Sequence, residues 1–590
     1  MIKHPNDNWT INKGTECLLF FAQRLSEMLF DFTIDTYKAP ALNTLLLCIE
    51  ARNSINYIEN ESIDEKNLEH IVEELNWAFT SDLVAKTILN ETGNLYFPLN
   101  NINDKTDLKL KLEILINKLE PKNYIATIKK LLSDAIKNNY KKDVNFLVTN
   151  LVTSLTSFAY HPNYIYKKTQ AFFFGKNKIE RVDKVDEFLS IFDLDEKTFD
   201  ITFIASSLFK EIQETCEKFG VSISNSIDSK IKEKPNWKNL RGKFIKGRKD
   251  CFITVKEENS FDLFSARKDA GQRLRKIANL FTYFHHKDRP NWREIALVSD
   301  NQSDELTLIS NPTSPMKKGF DLKPYKAAKK LNKFIDEFVS NFGHSKSFVL
   351  FNRANDLHGL AVADSSVENQ LLNVWIAIET IIQSTKNTSK VEHISESLLP
   401  SLTINYTEKL LKDLTESLIR WNEGLIRRLF DEIPKEVGEK DLEKVSAIVA
   451  CKEFKEIRKN LYAELDDFPL LRFRVCQLNQ QIHSANKVQK LIAVHKMKVE
   501  WHIRRIYRTR NLIVHEGTIS PNIEILVENA HTYLDVFLDK IIELAEKGSI
   551  KTIEQGIKET TLISKKYEQM LSENKNEECT KDNFQKFLFN

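Results

Sequence analysis

Residues 501–517 read WHIRRIYRTRNLIVHEG. Set about 100° apart around a helix axis, Ile506, Tyr507, Ile513 and Val514 gather within an arc of about 120° around Ile503. That arc predicts a buried face. Arg504, Arg508, Asn511 and His515 form a polar stripe beside it, three full turns long. Arg510 falls inside the apolar arc, where a guanidinium is tolerated only with a partner. Glu379, one turn after Trp375 in the upstream pattern ENQLLNVWIAIETII (Glu368–Ile382), is the expected supporting partner. Gly517 is a stop signal, so His515 should sit at the helix end.

The same period extends outward. Apolar residues recur at helical spacing over Asn486–His515 and Asn522–Ala545, and upstream over Val367–Gln383, Tyr406–Phe430 and Leu442–Leu461. Near the start, Glu16–Phe32, Leu42–Ile58, Asn67–Leu89, Asp107–Leu119, Ile125–Lys137 and Asp143–Phe158 repeat it. The middle differs. Asp200–Ala205, Cys251–Val255, Glu294–Val298, Glu305–Ile309 and Ser347–Phe351 are short β-rich runs, with helical patterns at Ser206–Phe219 and Ala266–Phe284. The expectation is a mainly α protein with an α+β middle segment. It divides into helical 1–165, a sensor or scaffold; α+β 166–360; a C-terminal helical bundle 361–548; and a charged tail 549–590.

Composition agrees. The 590 residues include only 15 Gly and 14 Pro, too few turn residues for an all-β architecture. Hydrophobic residues are 42% and charged residues 29%, ordinary for a globular chain. No apolar run is long enough for a membrane span, and the first residues carry no signal-peptide core, so no membrane partner is expected. Seven scattered cysteines without a CxxC pair fit a reducing cytoplasm and disfavour a disulfide framework or a cysteine-based metal site. A net charge of +3 means that any nucleic-acid affinity must be local. One such locality is the linker 230–249, with nine Lys or Arg between Lys230 and Lys249 against Glu233, and Trp237 and Phe244 interleaved. Charge with aromatics suits phosphate contact and base stacking; the same composition also suits a solvated loop. No P-loop, dinucleotide fingerprint, HExxH, zinc-deaminase pattern or GxSxG elbow is present. The adjacent His285 and His286 point about 100° apart on a helix, which suits a surface role better than a metal. No cofactor and no metal is expected.

The chemistry sits in Arg510-Asn511-Leu-Ile-Val-His515. YRTRNLIVHEG, with ENQLLNVWIAIETII upstream, resembles the ApeA-like HEPN family over about residues 365–545, a third of the chain. Arg353 and His358 repeat the spacing in RANDLHG, beside SKSFVLF, and read as a chance match. The resemblance implies a helical HEPN domain that cuts RNA without metal, as a homodimer or higher homo-oligomer whose composite active site joins two motifs. Arg510, Asn511 and His515 would be catalytic, and Arg504 and Arg508 would bind RNA. Eight Lys or Arg between Lys487 and Arg510, against Glu500, favour such an anionic ligand. The implied activity is an endoribonuclease of the antiphage, abortive-infection or toxin type, acting on tRNA, mRNA or other single-stranded loops and released by a phage-derived or partner-protein trigger. The alternatives are a non-catalytic RNA- or protein-binding HEPN module and a purely structural adaptor.

Overall fold

The computed structural model describes residues 8–12, 14–30, 42–91, 99, 102, 104–245, 251–301, 303–318, 322–342, 345–383 and 389–589. They form two compact units. One comprises Met1–Asn150, Lys176–Asp183 and Ser314–Asn590; the other comprises Leu151–Gly175 and Lys184–Thr313. The chain is mainly helical with one small sheet in its middle, as the periodicity implied.

In the first unit, helices from both ends of the chain pack together. The helix Glu16–Leu29 is buried along nearly its whole length, its polar Gln23, Arg24, Ser26 and Glu27 included. Phe20 lies 5.0 Å from Phe473, centroid to centroid. Gln23 Oε1 accepts the Leu470 backbone N–H at 3.1 Å, and the Glu27 carboxylate is shared by Arg24 at 2.7 Å and Arg474 at 2.9 Å. Thr44–Glu59 is capped by Asn43, whose side chain accepts from the Leu46 N–H at 3.0 Å. Lys66–Ser81 buries Leu68, Ile71, Val72, Leu75, Ala78 and Phe79 at helical spacing, and Glu74 with them.

A second core joins Lys346–Ala363, Val367–Ile381, Lys390–Thr403, Ala485–Glu516, Ile523–Glu546 and Ile553–Glu573 around Trp375. One expectation needs correcting here. Ser347–Phe351 is not a strand but the first turns of Lys346–Ala363. Ser345 Oγ caps that helix at the Phe348 N–H, and Phe351, Ala354, Leu357 and Ala361 make its buried stripe. A short apolar run alone does not separate the two states; the cap and the longer stripe decide it. The charged tail is also structured. Its residues form Ile553–Glu573 and Phe584–Leu588, with Phe584 and Phe587 buried and Tyr567 Oη donating to the Phe587 carbonyl at 2.5 Å.

The second unit is an antiparallel sheet in the order β2-β3-β1-β4-β5, where β1 is Lys197–Ala205, β2 Val221–Ser224, β3 Cys251–Ser260, β4 Ala296–Asp300 and β5 Leu306–Ile309. One face, with Ile201, Phe203, Ile253, Val255 and Val298, packs on Leu263–Phe284. Asp262 caps that helix through the Phe264 N–H at 2.7 Å and also accepts the His161 N–H at 2.7 Å. Ile204, Phe252, Leu297 and Leu306 face the other way and are covered by Ile231, Trp237 and Phe244.

This last contact changes the reading of the basic linker. Residues 246–249 lie outside the described residues. The rest folds into Ser229–Glu233 and Trp237–Phe244, whose aromatics lie against the sheet rather than presenting a platform for bases. Lys234 Nζ donates to the carbonyls of Ser303 at 2.6 Å and Asp300 at 3.2 Å. The aromatic spacing is explained by burial. Trp237→Ala should therefore act as a core truncation, costing about 3–5 kcal/mol in a denaturant titration of the sheet unit.

Candidate functional site

Arg510, Asn511 and His515 lie in the last turns of a 32-residue helix, Ala485–Glu516. The helix ends where the sequence indicated. Gly517 takes φ +63°, a conformation that disfavours any side chain, and its N–H returns to the Leu512 carbonyl. Val499, Ile503 and Ile506 enter the core around Trp375, and the Tyr507 ring lies 5.6 Å from the Trp375 ring.

The opposite side is not a solvated basic stripe. Arg505 and Arg508 are 5% and 3% exposed. Arg505 forks onto Glu50, Nε to both oxygens at 3.1 Å and Nη2 to Oε2 at 3.0 Å, and its Nη2 also reaches Glu74 Oε2 at 2.5 Å. Arg508 Nη2 donates to Glu50 Oε1 at 2.6 Å. Two arginines from one end of the chain and two carboxylates from the other thus neutralise one another. Burial pushes the Glu50 carboxyl up, but the two guanidiniums more than offset this and hold it at about 2. Arg505 is raised despite its burial, and Glu74, where burial dominates, also lies above the ordinary carboxylate value.

Arg504 donates from Nη2 to Glu500 at 2.7 Å and from Nη1 to His70 Nε2 at 2.6 Å. Burial first, then Arg504 and Arg508, lower His70 to about 4, so the ring accepts as a neutral imidazole. The expectation that Arg504 and Arg508 offer free guanidiniums to RNA is thus corrected: Arg508 is inside an ion-pair cluster, and Arg504 is fixed between a carboxylate and a ring. A helical wheel assigns faces but does not show that helices from the other end of the chain cover the polar one.

The end of the helix is different. Arg510 is half-buried; its Nη1 donates to Asn511 Oδ1 at 3.0 Å, and its Nε is buried with no acceptor among the described residues. His515 is exposed, and its imidazole meets no hydrogen-bond partner among the described residues. Next to it, Glu516 accepts from Ser62 Oγ. Glu379 does not join this group. Its carboxylate takes the Trp375 indole N–H at 2.6 Å and Lys390 at 2.9 Å, because the indole is one turn away on its own helix. The structure thus joins Arg510 to Asn511, leaves His515 open one turn on, and assigns Glu379 to Trp375 and Lys390.

Two further histidines of the helix are structural. His502 Nδ1 lies 3.2 Å from Tyr533 Oη and 3.3 Å from Asn529 Nδ2, and His495 stacks on Tyr406 at 3.5 Å. Burial lowers each to about 3. Sequence reasoning missed Glu50, Glu74 and His70, since each lies more than 400 positions from its arginine. The available signal was an acid inside an apolar stripe, Glu74 between Val72 and Leu75. In the sheet unit, an open groove of about 1150 Å³ is lined by Asp200, Thr202, Thr254, Lys230, Lys234 and Lys256, a mixed-charge surface with no convergent catalytic set.

No family model, no curated protein and no solved structure matches the chain.

Two predictions follow from the buried charges. Arg505→Ala leaves Glu50 and Glu74 without their main partner and should destabilise the helical unit by about 3–5 kcal/mol in urea unfolding. Acidification should weaken the same unit. His495 and His502 fall from 6.5 to about 3 on folding, and Glu50 from 4.5 to about 2. Groups depressed by folding contribute stability that is complete above their unfolded values and drains away as pH falls toward the folded ones. The raised Glu74, Asp413 and Asp535 work the other way, but the lowered His70, His358 and Glu16 act together with His495, His502 and Glu50. The melting temperature should drop steadily between pH 6.5 and 3, and a level profile across that window would contradict the assignment.

Proposed function

We propose that the chain is an endoribonuclease of the HEPN type, with Arg510, Asn511 and His515 as the reacting set. The observation that carries this is the contrast along one helix. Arg504, Arg505 and Arg508 are held by Glu500, His70, Glu50 and Glu74, while Arg510 keeps donor capacity and His515 is open to solvent one turn further on.

The chemistry suits these groups. An imidazole takes the proton of an RNA 2′-hydroxyl as the 2′-oxygen attacks the adjacent phosphorus. The P–O5′ bond breaks, the 5′-oxygen receives a proton, and a 2′,3′-cyclic phosphate and a 5′-hydroxyl remain. A guanidinium stabilises the extra negative charge on the pentacovalent phosphorus. Asn511 orients the Arg510 fork through its side-chain carbonyl. One imidazole does not serve as base and acid at once, so a second copy of the chain, bringing a second Arg–Asn–His set to the same cleft, completes the site. None of these steps calls for a metal ion.

The resemblance places such an enzyme among antiphage or toxin-type effectors that act on tRNA or other single-stranded RNA, restrained until a phage-derived or protein trigger arrives. The helices carrying Glu50, His70 and Glu74 are suited to that restraint, since they grip the helix just before its reacting end. The other reading is a non-catalytic RNA-binding module, whose sign would be salt-sensitive binding without products.

Purified wild type, His515→Ala and Arg510→Ala should be incubated with total RNA in EDTA. Wild type should release fragments ending in 2′,3′-cyclic phosphate. His515→Ala should lose at least about 100-fold in rate, the scale of a missing general acid–base group, with unchanged circular dichroism and oligomeric state. Cleavage by His515→Ala at the wild-type rate would sink the proposal.

A further inference from the structure

His358 lies in the segment RANDLHG. In the structure it faces His531 and Asp535. His358 projects from Lys346–Ala363, whereas His531 and Asp535 lie one turn apart on the same face of Ile523–Glu546. The two Nε2 atoms are 2.8 Å apart. His531 Nε2 lies 3.3 Å from Asp535 Oδ2, and His358 Nε2 lies 3.8 Å from Asp535 Oδ1. One ligand atom from each side chain falls within 4.8 Å of the other two.

We propose that His358, His531 and Asp535 form a binding site for a borderline divalent transition cation, with Zn2+ as the best fit. Three arguments carry it. The first is the donor set. Two neutral imidazole nitrogens and one carboxylate oxygen are the ligands that zinc takes in three-ligand sites, and they are unsuited to the all-oxygen shells of Ca2+ or Mg2+.

The second is spacing. Metal–ligand bonds of about 2.0–2.1 Å in a tetrahedron put ligand atoms about 3.3 Å apart. The His531 Nε2–Asp535 Oδ2 separation of 3.3 Å matches that edge, the two Nε2 atoms at 2.8 Å are slightly inside it, and the other carboxylate oxygen, Oδ1, is 3.8 Å from His358 Nε2. Closing the set around an ion requires the two rings to part by a few tenths of an ångström and the carboxylate to swing toward His358. The two carboxylate oxygens already divide between the two rings.

The third is the scaffold. His358 is set among the buried Ala354, Leu357 and Ala361, and the other two ligands among the buried Ala530, Leu534, Phe537 and Leu538. Ligands on packed helices are held more precisely than ligands on loops. The side chains are 30%, 16% and 50% exposed, so the carboxylate side is open and a water completes the fourth position. Asp539 lies one further turn along, paired with Lys330 at 3.0 Å. A cation here would clip Lys346–Ala363 to Ile523–Glu546. It would do so through side chains that the Arg510–His515 set does not include, so the inference stands apart from the ribonuclease proposal.

The full chain, stripped with a chelator and dialysed, should be titrated with Zn2+ and, in parallel, with Co2+ as a spectroscopic probe. The expected result is one ion per chain, a raised melting temperature, and Co2+ ligand-field bands of the intense tetrahedral kind. His358→Ala and the conservative Asp535→Asn should each weaken Zn2+ binding at least about 10-fold, the lower end for disturbing a metal's supporting groups. Both substitutions lie at partly exposed positions, and circular dichroism of the metal-free variants should match wild type. If wild type binds no stoichiometric Zn2+, or if the variants bind it as tightly as wild type, the site is a hydrogen-bonded histidine pair and the proposal is wrong. Both readouts are metal and melting, so failure of RNA cleavage leaves this test unaffected.

Discussion

The helical unit depends on four charges drawn largely out of solvent. Arg505 and Arg508 meet Glu50 and Glu74 where all four are largely buried, and leaving any one alone there would be strongly unfavourable. Paired, they fix the register of Ala485–Glu516 against Thr44–Glu59 and Lys66–Ser81. An apolar contact would tolerate sliding; a forked guanidinium between two carboxylates does not. The position of Arg510 and His515, one to two turns further along, follows from that register. Hydrophobic burial around Trp375 holds the helix to the core, and the ion-pair cluster sets where along its axis it sits.

Much of the local structure was legible. Apolar residues at helical spacing marked Thr44–Glu59, Val367–Ile381 and Ala485–Glu516 to within a residue or two, and Gly517 marked the helix end, because each of these signals acts within a few turns. Four of the five strands announced themselves as β-branched runs. The fifth, Val221–Ser224, is too short to do so. Ser347–Phe351 misled because an apolar run of five residues has no period of its own. The candidate site was legible only as a motif. Arg510 met Asn511 rather than Glu379, since the Trp375 indole and Lys390 claim that carboxylate, and Arg508 met Glu50, for which no local signal exists. The His358, His531 and Asp535 cluster was invisible for the same reason: two of its members are one turn apart, but the third comes from 173 positions away.

The arginines of one helix show how position changes the use of a residue type. Four guanidiniums lie between 504 and 510. Three have carboxylate or imidazole partners that define their geometry, and the fourth retains an Nε without an acceptor among the described residues, beside an amide. A basic stripe on a helical wheel predicts general affinity for anions. Among these four guanidiniums, the one with a donor left over among the described residues is Arg510, at the helix end.

The separation of Glu74 from Arg505 by 431 positions also has a consequence for synthesis. At ordinary elongation rates of about 5–20 residues per second, the N-terminal helices leave the ribosome roughly 20–90 s before Arg505 exists. During that interval Glu50 and Glu74 have no partner and favour a hydrated, open arrangement over a packed one. The first 150 residues are therefore expected to wait in a loosely assembled state while the sheet unit, whose residues all lie between 151 and 313, folds ahead of them. The helical unit then closes late, when the arginines arrive. A chain cut short by ribosome stalling before that point has neither a registered helix nor the Arg510–His515 segment.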